Sequence, residues 1–356
     1  MIIIFSIAFI LSIIILAAGF KKYPVSPSGY SDSIKISIVT AAKNEAAVIE
    51  RFISSIEMLD YPAEKFEVIL VDDNSTDNTY PIVQKLIEQK NNFIVLKADQ
   101  KIFSGKRGAL QRGIDVSQFP YILITDADCI PNPNWLQTCA AVFQKGYDFI
   151  FGPAPFYKEN NFINKISCME NLKNQFLAFS LASLGMPYAA SARNFGFSKD
   201  AFLKIGGYKK TLDTLSGDDD LLLREAVKNK LKISCFYDND ATVYSFTKTK
   251  LKDYLQQRAR HTQSSFHYLL RHRIILGIWH GLNLLMLFSP LLLFINFDLI
   301  WLFVLKMIAD TFTISLIQKR LGYDFNVIEI ILFDFFYEIF IVINFFNALF
   351  RKIEWK

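Results

Sequence analysis

The chain has 356 residues, a formal net charge of +5 and a hydrophobic fraction of 52%. The modest charge gives no reason to expect nucleic-acid binding, and the four cysteines lack the spacing of a zinc site or a disulfide framework. Apolar residues concentrate in roughly the first twenty and the last eighty residues, which is typical of an integral membrane protein with a polar middle.

Apolar segments at both ends of the chain predict membrane helices. Residues 1–22 contain an uninterrupted apolar run long enough to cross a bilayer, and Lys21 and Lys22 place its end in the cytoplasm by the positive-inside rule. A polar linker is expected over residues 23–33. Residues 274–356 contain further apolar runs, which predict about three C-terminal transmembrane helices: Ile274–Phe297, Leu299–Ile317 and Val327–Phe350.

The last apolar run is unusual because it carries three acids. Carboxylates are costly in lipid, so either they face other helices or a polar cavity or the segment is only partly inserted: Glu329, Asp334 and Glu338. Upstream, residues 251–273 predict an amphipathic helix, over Asp253–His272, that lies on the membrane surface. The histidines in and near this helix lack the paired spacing of a metal site.

Residues 34–250 alternate between strand and helix patterns. Short apolar runs predict strands at 36–40, 68–71, 93–96 and 121–124, and helical spacing predicts helices at 44–58, 79–89 and 106–116. Such alternation is typical of an α/β fold with a doubly wound, mostly parallel sheet. Ligands of these sheets bind at the carboxyl ends of the strands, where the sequence places Asn44-Glu45, Asp72-Asp73 and Asp126-Ala-Asp128.

Asp126-Ala-Asp128 directly follows the apolar run Tyr121–Ile124. Side chains two apart on an extended backbone point to the same side, so the two carboxylates project together. Paired carboxylates suit a hard divalent cation that also binds substrate phosphates, although a solvated acidic turn is the alternative. The later triplet Asp218-Asp-Asp220 has an alternative too, an ordinary helix start, because acids favour the first turn.

Seven motifs follow one another along the chain: Thr40-Ala-Ala-Lys-Asn-Glu45, Val71-Asp-Asp-Asn-Ser-Thr-Asp77, Gly105-Lys-Arg-Gly-Ala-Leu110, Asp126-Ala-Asp128, Ser191-Ala-Arg-Asn-Phe-Gly196, Gly217-Asp-Asp-Asp-Leu221 and Gln257-Arg-Ala-Arg260. In this order, over roughly Ser37–His261, they resemble the inverting GT-A glycosyltransferases of family 2, particularly the membrane branch related to cellulose, chitin and hyaluronan synthases. The resemblance implies a Rossmann-like GT-A domain on the cytoplasmic side of the cell membrane.

The resemblance also implies a nucleotide-sugar donor, UDP-linked, and Mg2+ or Mn2+ bound by Asp128. The nucleotide would contact Ala41, Glu45, Asp72, Asp73, Lys106, Asp126, Gln257 and Arg260. The acceptor side would include Arg193, Asn194, Asp220 and His261. A carboxylate of the triplet would be the general base for the acceptor hydroxyl: an ungapped alignment makes it Asp218, and a one-residue gap makes it Asp219.

The function implied is single transfer of a sugar to a lipid-linked or glycan acceptor by a membrane-bound inverting glycosyltransferase. One alternative is a processive polysaccharide synthase subunit, although His261 stands where polymerising relatives carry an aromatic tryptophan after Gln-x-x-Arg. A second alternative is a non-catalytic membrane scaffold that binds nucleotide sugars. The partners expected are membrane lipids and not nucleic acid, and a partner membrane subunit would supply an export path if the chain makes polymer.

Overall fold

A computed structural model describes residues 2–22, 34–99, 101–214, 216–237 and 239–350. The chain divides into an α/β unit, formed by residues 24–155 and 189–246, and a helical unit, formed by residues 1–23, 156–188 and 247–354. The linker predicted over residues 23–33 lies outside the described residues, as do the side chains of Lys21 and Lys22.

The α/β unit contains nine strands: β1 Ile36–Ala42, β2 Phe66–Asp72, β3 Phe93–Lys97, β4 Tyr121–Ile124, β5 Ile130–Pro131, β6 Phe149–Phe151, β7 Phe195–Ser198, β8 Ile233–Cys235 and β9 Val243–Tyr244, counted over the described residues. Seven of them form one sheet in the order β3-β2-β1-β4-β7-β6-β8. β1 to β4 run parallel, and β7 runs antiparallel between β4 and β6. The predicted mostly parallel sheet is confirmed.

Helices connect these strands: α2 Ile49–Glu57, α3 Thr79–Ile87, α4 Gly105–Val116, α5 Trp135–Gln144, α7 Lys199–Lys204 and α8 Asp220–Lys228. β2 is buried along its whole length, as expected for a continuous apolar strand that is covered on both faces. The helix predicted from Asn44 begins only at Ile49, because Asn44 has a left-handed φ of 59° that a right-handed helix cannot contain.

The helical unit contains α1 Ile2–Lys22, α6 Phe162–Ser183, α9 Leu251–Ser265, α10 Leu270–Phe288, α11 Ile300–Ile317 and α12 Val327–Phe350. Within the part of the chain that the structure describes, three segments are long and apolar enough to cross a membrane: Ile2–Phe20, Leu270–Leu292 and Phe297–Leu321. One N-terminal and two C-terminal candidate spans approximately match the prediction of about three C-terminal helices, and the acid-bearing α12 is not among these segments.

The single amphipathic helix predicted over Asp253–His272 is wrong in extent, because α9 ends at Ser265 and α10 begins at Leu270. α9 is tied to α6 through its buried side. Glu170 Oε2 on α6 accepts a 2.6 Å hydrogen bond from the Tyr254 hydroxyl, and Arg258 Nε lies 2.8 Å from the same oxygen. α6 itself was not predicted, since it is buried on most sides and shows no clear apolar periodicity.

A buried charge cluster joins α6, α11 and α12. Lys173 Nζ lies 2.5 Å from Asp334 Oδ1 and 3.0 Å from Glu338 Oε1, and Lys306 Nζ lies 2.5 Å from Asp310 Oδ2. All five side chains are less than a tenth exposed. Two acids of the last apolar run, Asp334 and Glu338, therefore face other helices, which confirms that part of the expectation.

This cluster predicts that two substitutions lower the free energy of unfolding by different amounts. Three carboxylates face two ammonium groups, so Lys306→Met leaves buried acids without compensation and should lower the free energy of unfolding by about 3–5 kcal/mol. Glu338→Gln leaves equal numbers of opposite charges and should cost clearly less. Unfolding in detergent measures both, with Lys319→Met as an exposed control. Equal losses for Lys306→Met and Lys319→Met would contradict the prediction.

Candidate active site

Asp126 and Asp128 lie just beyond the carboxyl end of β4, as the sequence predicts. Ligand atoms of Asp126, Asp128 and Cys129 all lie within 4.8 Å of one another. Burial, and then the negative charge of Asp126, raise the pKa of the Asp128 carboxyl above its ordinary value. A nearby cation would stabilise the charged form of Asp128, which burial and the neighbouring carboxylate disfavour.

The donor set fits a hard divalent cation. Burial raises the pKa of the Cys129 thiol well above its usual range, so the group is a neutral thiol whose Sγ lies 3.6 Å from Asp128 Oδ1. A thiol that donates to the carboxylate is not a metal ligand. The two carboxylates supply oxygen ligands, which suit Mg2+ or Mn2+ when phosphate oxygens and water complete the coordination.

Lys106 joins this acid pair to the distant acidic triplet. Its Nζ lies 2.6 Å from Asp126 Oδ1 and 2.9 Å from Asp218 Oδ2. Burial lowers the pKa of Lys106, but Asp126 and Asp218 outweigh burial and raise it well above its usual value. The ammonium is therefore charged, and it brings together two motifs that the sequence places far apart.

The three acids of the triplet have different surroundings. Asp218 contacts the Lys106 ammonium, and although burial raises the pKa of its carboxyl, Lys106 holds that pKa below its usual value. Asp219 accepts backbone N–H bonds from Ala192 at 2.7 Å and from Asp220 at 2.8 Å, which caps α8. Burial, and then Asp218, raise the pKa of Asp219 to about 6. Asp220 Oδ1 accepts the N–H of Ala190 at 3.0 Å.

Residues of α4 hold the loop before the triplet. The buried Arg107 donates from Nη1 to the carbonyl of Thr214 at 2.5 Å and from Nη2 to that of Ser216. Gly108 allows the segment before α4 to pass close to the helix, since a side chain there would collide with the carbonyl oxygen of Phe103. The Gly-Lys-Arg-Gly motif thus supplies a contact to the acids and an anchor for the loop that carries them.

Asp72 and Asp73 lie at the carboxyl end of β2, where the sequence predicts nucleotide contacts. Asp72 Oδ2 accepts the N–H of Ser75 at 3.3 Å, while its buried Oδ1 has no hydrogen-bonding partner among the described residues. A buried carboxylate oxygen without a donor is suited to a ligand N–H or hydroxyl. Asp73 already forms an ion pair with Lys101, a residue that the motif-based prediction missed.

Two loops at the ends of β1 and β2 are locked together. Asn44 Oδ1 accepts the N–H of Thr76 at 2.8 Å, and Asn44 N–H donates to Ser75 Oγ at 2.9 Å. Glu45 N–H donates to Thr79 Oγ1 at 2.8 Å. The left-handed backbone of Asn44, φ 59°, makes this turn. Ala41 lies one residue before the end of β1, so both predicted nucleotide-binding loops begin at this edge.

Arg193 and Asn194 differ in how their side chains are used. Arg193 Nη1 donates to Ser245 Oγ at 2.7 Å, and its positive charge partly offsets the rise in the pKa of Asp128. Asn194 is 1% exposed; it accepts from Trp135 Nε1 at 2.9 Å and donates to the carbonyls of Pro153 and Ala241. These bonds indicate a structural role for Asn194.

Gln257, Arg260 and His261 belong to α9 of the helical unit. Spacings of three and four residues put them on one face of that helix. Arg258 and Tyr254 anchor α9 through Glu170, and this contact was also absent from the sequence prediction. Lys101 and Glu170 lie outside the seven motifs. Arg107 and Arg258 lie within motifs, but the sequence does not indicate their partners, because the fold alone brings these partners close.

Residues 37–206 match the sequence model of Glycosyl transferase family 2, so the chain carries a domain of this family. Curated relatives match over shorter stretches. Beta-monoglucosyldiacylglycerol synthase of Nostoc sp. is 36% identical over 110 residues, which are 31% of this chain and 24% of that protein. Poly-beta-1,6-N-acetyl-D-glucosamine synthase of Staphylococcus aureus is 36% identical over 95 residues, 27% of this chain and 22% of that protein. The matched stretch spans about a quarter of each relative.

A solved structure extends the likeness along the whole chain. The mannosyltransferase of Pyrobaculum calidifontis, in complex with GDP-Man and Mn2+, matches with a TM-score of 0.57 and 15% sequence identity, covering 98% of this chain and 99% of that chain. At this identity the likeness concerns the fold, and it confirms the GT-A class together with the observed sheet.

Proposed function

We propose that this protein is a membrane-bound inverting glycosyltransferase that moves a sugar from a nucleotide-sugar donor, UDP-linked, to a lipid-linked or glycan acceptor. One observation carries the proposal. The same-side carboxylates Asp126 and Asp128 are linked through Lys106 to the acidic triplet at the start of α8, within a family 2 domain. A donor phosphate site and a candidate base are thereby brought to one place, as a single displacement requires.

The donor would bind along the carboxyl edge of β1, β2 and β4. Asp72 Oδ1 is an open acceptor for a base N–H or a ribose hydroxyl, and Asp73 is oriented by Lys101. Ala41 and Glu45 border the same edge, and Gln257 and Arg260 on α9 are assigned to the diphosphate by resemblance. Asp128, with Asp126 beside it, would hold Mg2+ or Mn2+. That ion, when bound, neutralises the negative charge that develops on the leaving diphosphate.

Asp218 is the proposed general base. Asp219 uses both carboxylate oxygens to accept backbone N–H bonds and caps α8, and Asp220 accepts the N–H of Ala190. Asp218 contacts the side-chain ammonium of Lys106, which a substrate anion can draw away, so this carboxylate is the proposed base. Asp219 is the rival, since a pKa of about 6 suits proton transfer near neutral pH.

Transfer would then follow from the roles of these side chains. Asp218 removes the proton of the acceptor hydroxyl, while that oxygen attacks the anomeric carbon from the face opposite the departing diphosphate. Lys106 lies where it can donate to the leaving phosphate oxygens. Arg193, beside Asp128, and His261, by resemblance, are assigned to the acceptor side with Asp220. The packing of Asn194 argues for support of the pocket rather than contact with the acceptor.

A membrane acceptor is supported by the three candidate spans and by the relatives, one of which is named for synthesis of a glucosyl lipid. Polymer synthesis is the second candidate, because another relative is named as a polysaccharide synthase. The presence of both Asp128 and the acidic triplet argues against a non-catalytic scaffold. We place the α/β unit in the cytoplasm of an inner-membrane protein, from the lysines at the end of α1.

Divalent metal should be required for turnover of the nucleotide sugar. Asp128→Asn removes one carboxylate ligand and should abolish metal-stimulated donor turnover, and excess EDTA should abolish turnover by the unmodified protein. Asp200→Asn, an exposed aspartate in α7, is the matched control. Release of nucleoside diphosphate from a panel of nucleotide sugars measures the effect. Full activity in EDTA or in Asp128→Asn would exclude this metal site.

Substitution of each acid in the triplet should identify the base. Asp218→Asn should lower transfer about a hundred- to ten-thousand-fold while UDP affinity is kept, because asparagine retains the size of the side chain but not its basicity. Asp219→Asn should mainly lower thermal stability, since one of its two N–H bonds has no acceptor oxygen left. Calorimetric UDP binding and initial rates measure both variants. Near-normal transfer by Asp218→Asn would assign the base elsewhere.

The orientation follows from the positive-inside rule and can be probed with single cysteines. The four native cysteines are buried, so an introduced cysteine provides the labelled site. Lys145→Cys in the α/β unit should not react with an impermeant maleimide added outside intact cells, and Phe294→Cys between α10 and α11 should react. The reverse pattern would place the α/β unit outside the cell.

A further inference from the structure

We propose that Lys106 takes the place of the divalent cation at Asp126 in the unliganded site, and that metal binding therefore depends on nucleotide binding. The inference rests on the proposed function and adds an energetic coupling to it. Its basis is one ammonium that touches a carboxylate of the acid pair and a carboxylate of the triplet at the same time.

The contact at Asp126 is close enough to compete with a metal ion. Lys106 Nζ lies 2.6 Å from Asp126 Oδ1, and the Asp126 carboxylate belongs to the cluster suited to a cation. A dication and an ammonium at the same carboxylate repel each other, and partial shielding of the side chains from water strengthens this repulsion. The side chains of Lys106, Asp126 and Asp218 are 20%, 32% and 15% exposed. A metal ion that binds without a nucleotide must therefore either displace the Lys106 ammonium from Asp126 or bind against its repulsion.

Displacement without a nucleotide leaves Lys106 poorly compensated. The ammonium would keep Asp218 as its partner but lose Asp126, and a buried charge that loses a partner is unfavourable. The diphosphate of a nucleotide changes this balance because its oxygens accept charge-assisted hydrogen bonds. Lys106 lies in the first turn of α4, a position where backbone N–H groups also favour an anion. Nucleotide binding thus gives Lys106 a new partner and frees Asp126 for the metal.

The same movement would release Asp218. Lys106 lowers the pKa of that carboxyl in the unliganded site, so a departing ammonium leaves a more basic group. Arg107 keeps its bonds to the carbonyls of Thr214 and Ser216, and the loop that carries Asp218 stays in place. One lysine therefore links donor arrival, metal entry and exposure of the base, and an empty site holds neither a metal nor a free base.

The test compares Mn2+ affinity of the purified full-length protein with and without UDP, measured by electron paramagnetic resonance of free Mn2+. Lys106→Met should bind Mn2+ more tightly in the absence of UDP, by about 5- to 150-fold, the usual range for coupled sites. The gain in Mn2+ affinity on adding UDP should shrink by the same factor. Lys145→Met removes an exposed lysine of the same unit and should behave as the unmodified protein.

Two further variants keep the result decisive. Lys106→Gln repeats the charge removal with a polar side chain, and thermal melting shows which variants are folded. Arg193→Met removes a different cation, whose charge acts on Asp128, so this variant measures how far the loss of any nearby positive charge changes Mn2+ affinity. It should raise UDP-free Mn2+ affinity without reducing the effect of UDP. An equal loss of the UDP effect in Arg193→Met would overturn the specific role of Lys106.

The outcomes separate this inference from the proposed function. If the unmodified protein binds both Mn2+ and UDP but folded Lys106 variants show unchanged UDP-free Mn2+ affinity and unchanged coupling, the inference is overturned and the proposed function stands. If the unmodified protein binds Mn2+ neither with nor without UDP or GDP, both fail. Tighter UDP-free Mn2+ binding together with weaker coupling in Lys106→Met and Lys106→Gln supports both.

Discussion

The arrangement of the site depends on one ammonium group between two carboxylates. Lys106 brings the end of β4 and the start of α8 together, and without a cation there Asp126 and Asp218 would repel each other. The position of Lys106 is in turn fixed by backbone requirements: Gly105 has a φ of 65°, and Gly108 lies against the carbonyl of Phe103. The two glycines of the Gly-Lys-Arg-Gly motif therefore allow the backbone conformation that brings Lys106 into contact with Asp126 and Asp218.

Lys106 and the neighbouring Arg107 lie in the same helical turn but make different kinds of contact. Lys106 contacts carboxylate side chains, and another anion can replace these partners. Arg107 instead donates to two backbone carbonyls. Backbone acceptors cannot be moved without unfolding the loop. A fixed anchor next to a replaceable contact allows the charge distribution of the site to change while its geometry is kept.

Much of the sheet and of the acidic site could be predicted from the sequence. Buried strands appear as short apolar runs, and acids directly after such runs mark the ends of the strands. β1 to β4 and the placement of Asp72, Asp126 and Asp128 were predicted this way. What could not be predicted lies in contacts between distant segments. Lys101 pairs with Asp73 and lies outside the seven motifs. Arg107 lies in the Gly-Lys-Arg-Gly motif, but the motif does not indicate that its partner is the loop before the triplet. α6 was missed because burial on most sides removes the apolar stripe on which helix prediction relies.

The route of the chain limits how the catalytic part can be separated from the membrane part. α6 lies between two segments of the α/β unit in the sequence, yet it belongs to the helical unit with α1, α9, α11 and α12. A fragment that begins at β1 and ends before α9 would retain α6 but lose the helices that bury Glu170 and Lys173. α9, α11 and α12 are therefore internal structural partners of a segment that interrupts the α/β unit in the sequence, and a fragment without them would leave the buried charges of α6 without their partners.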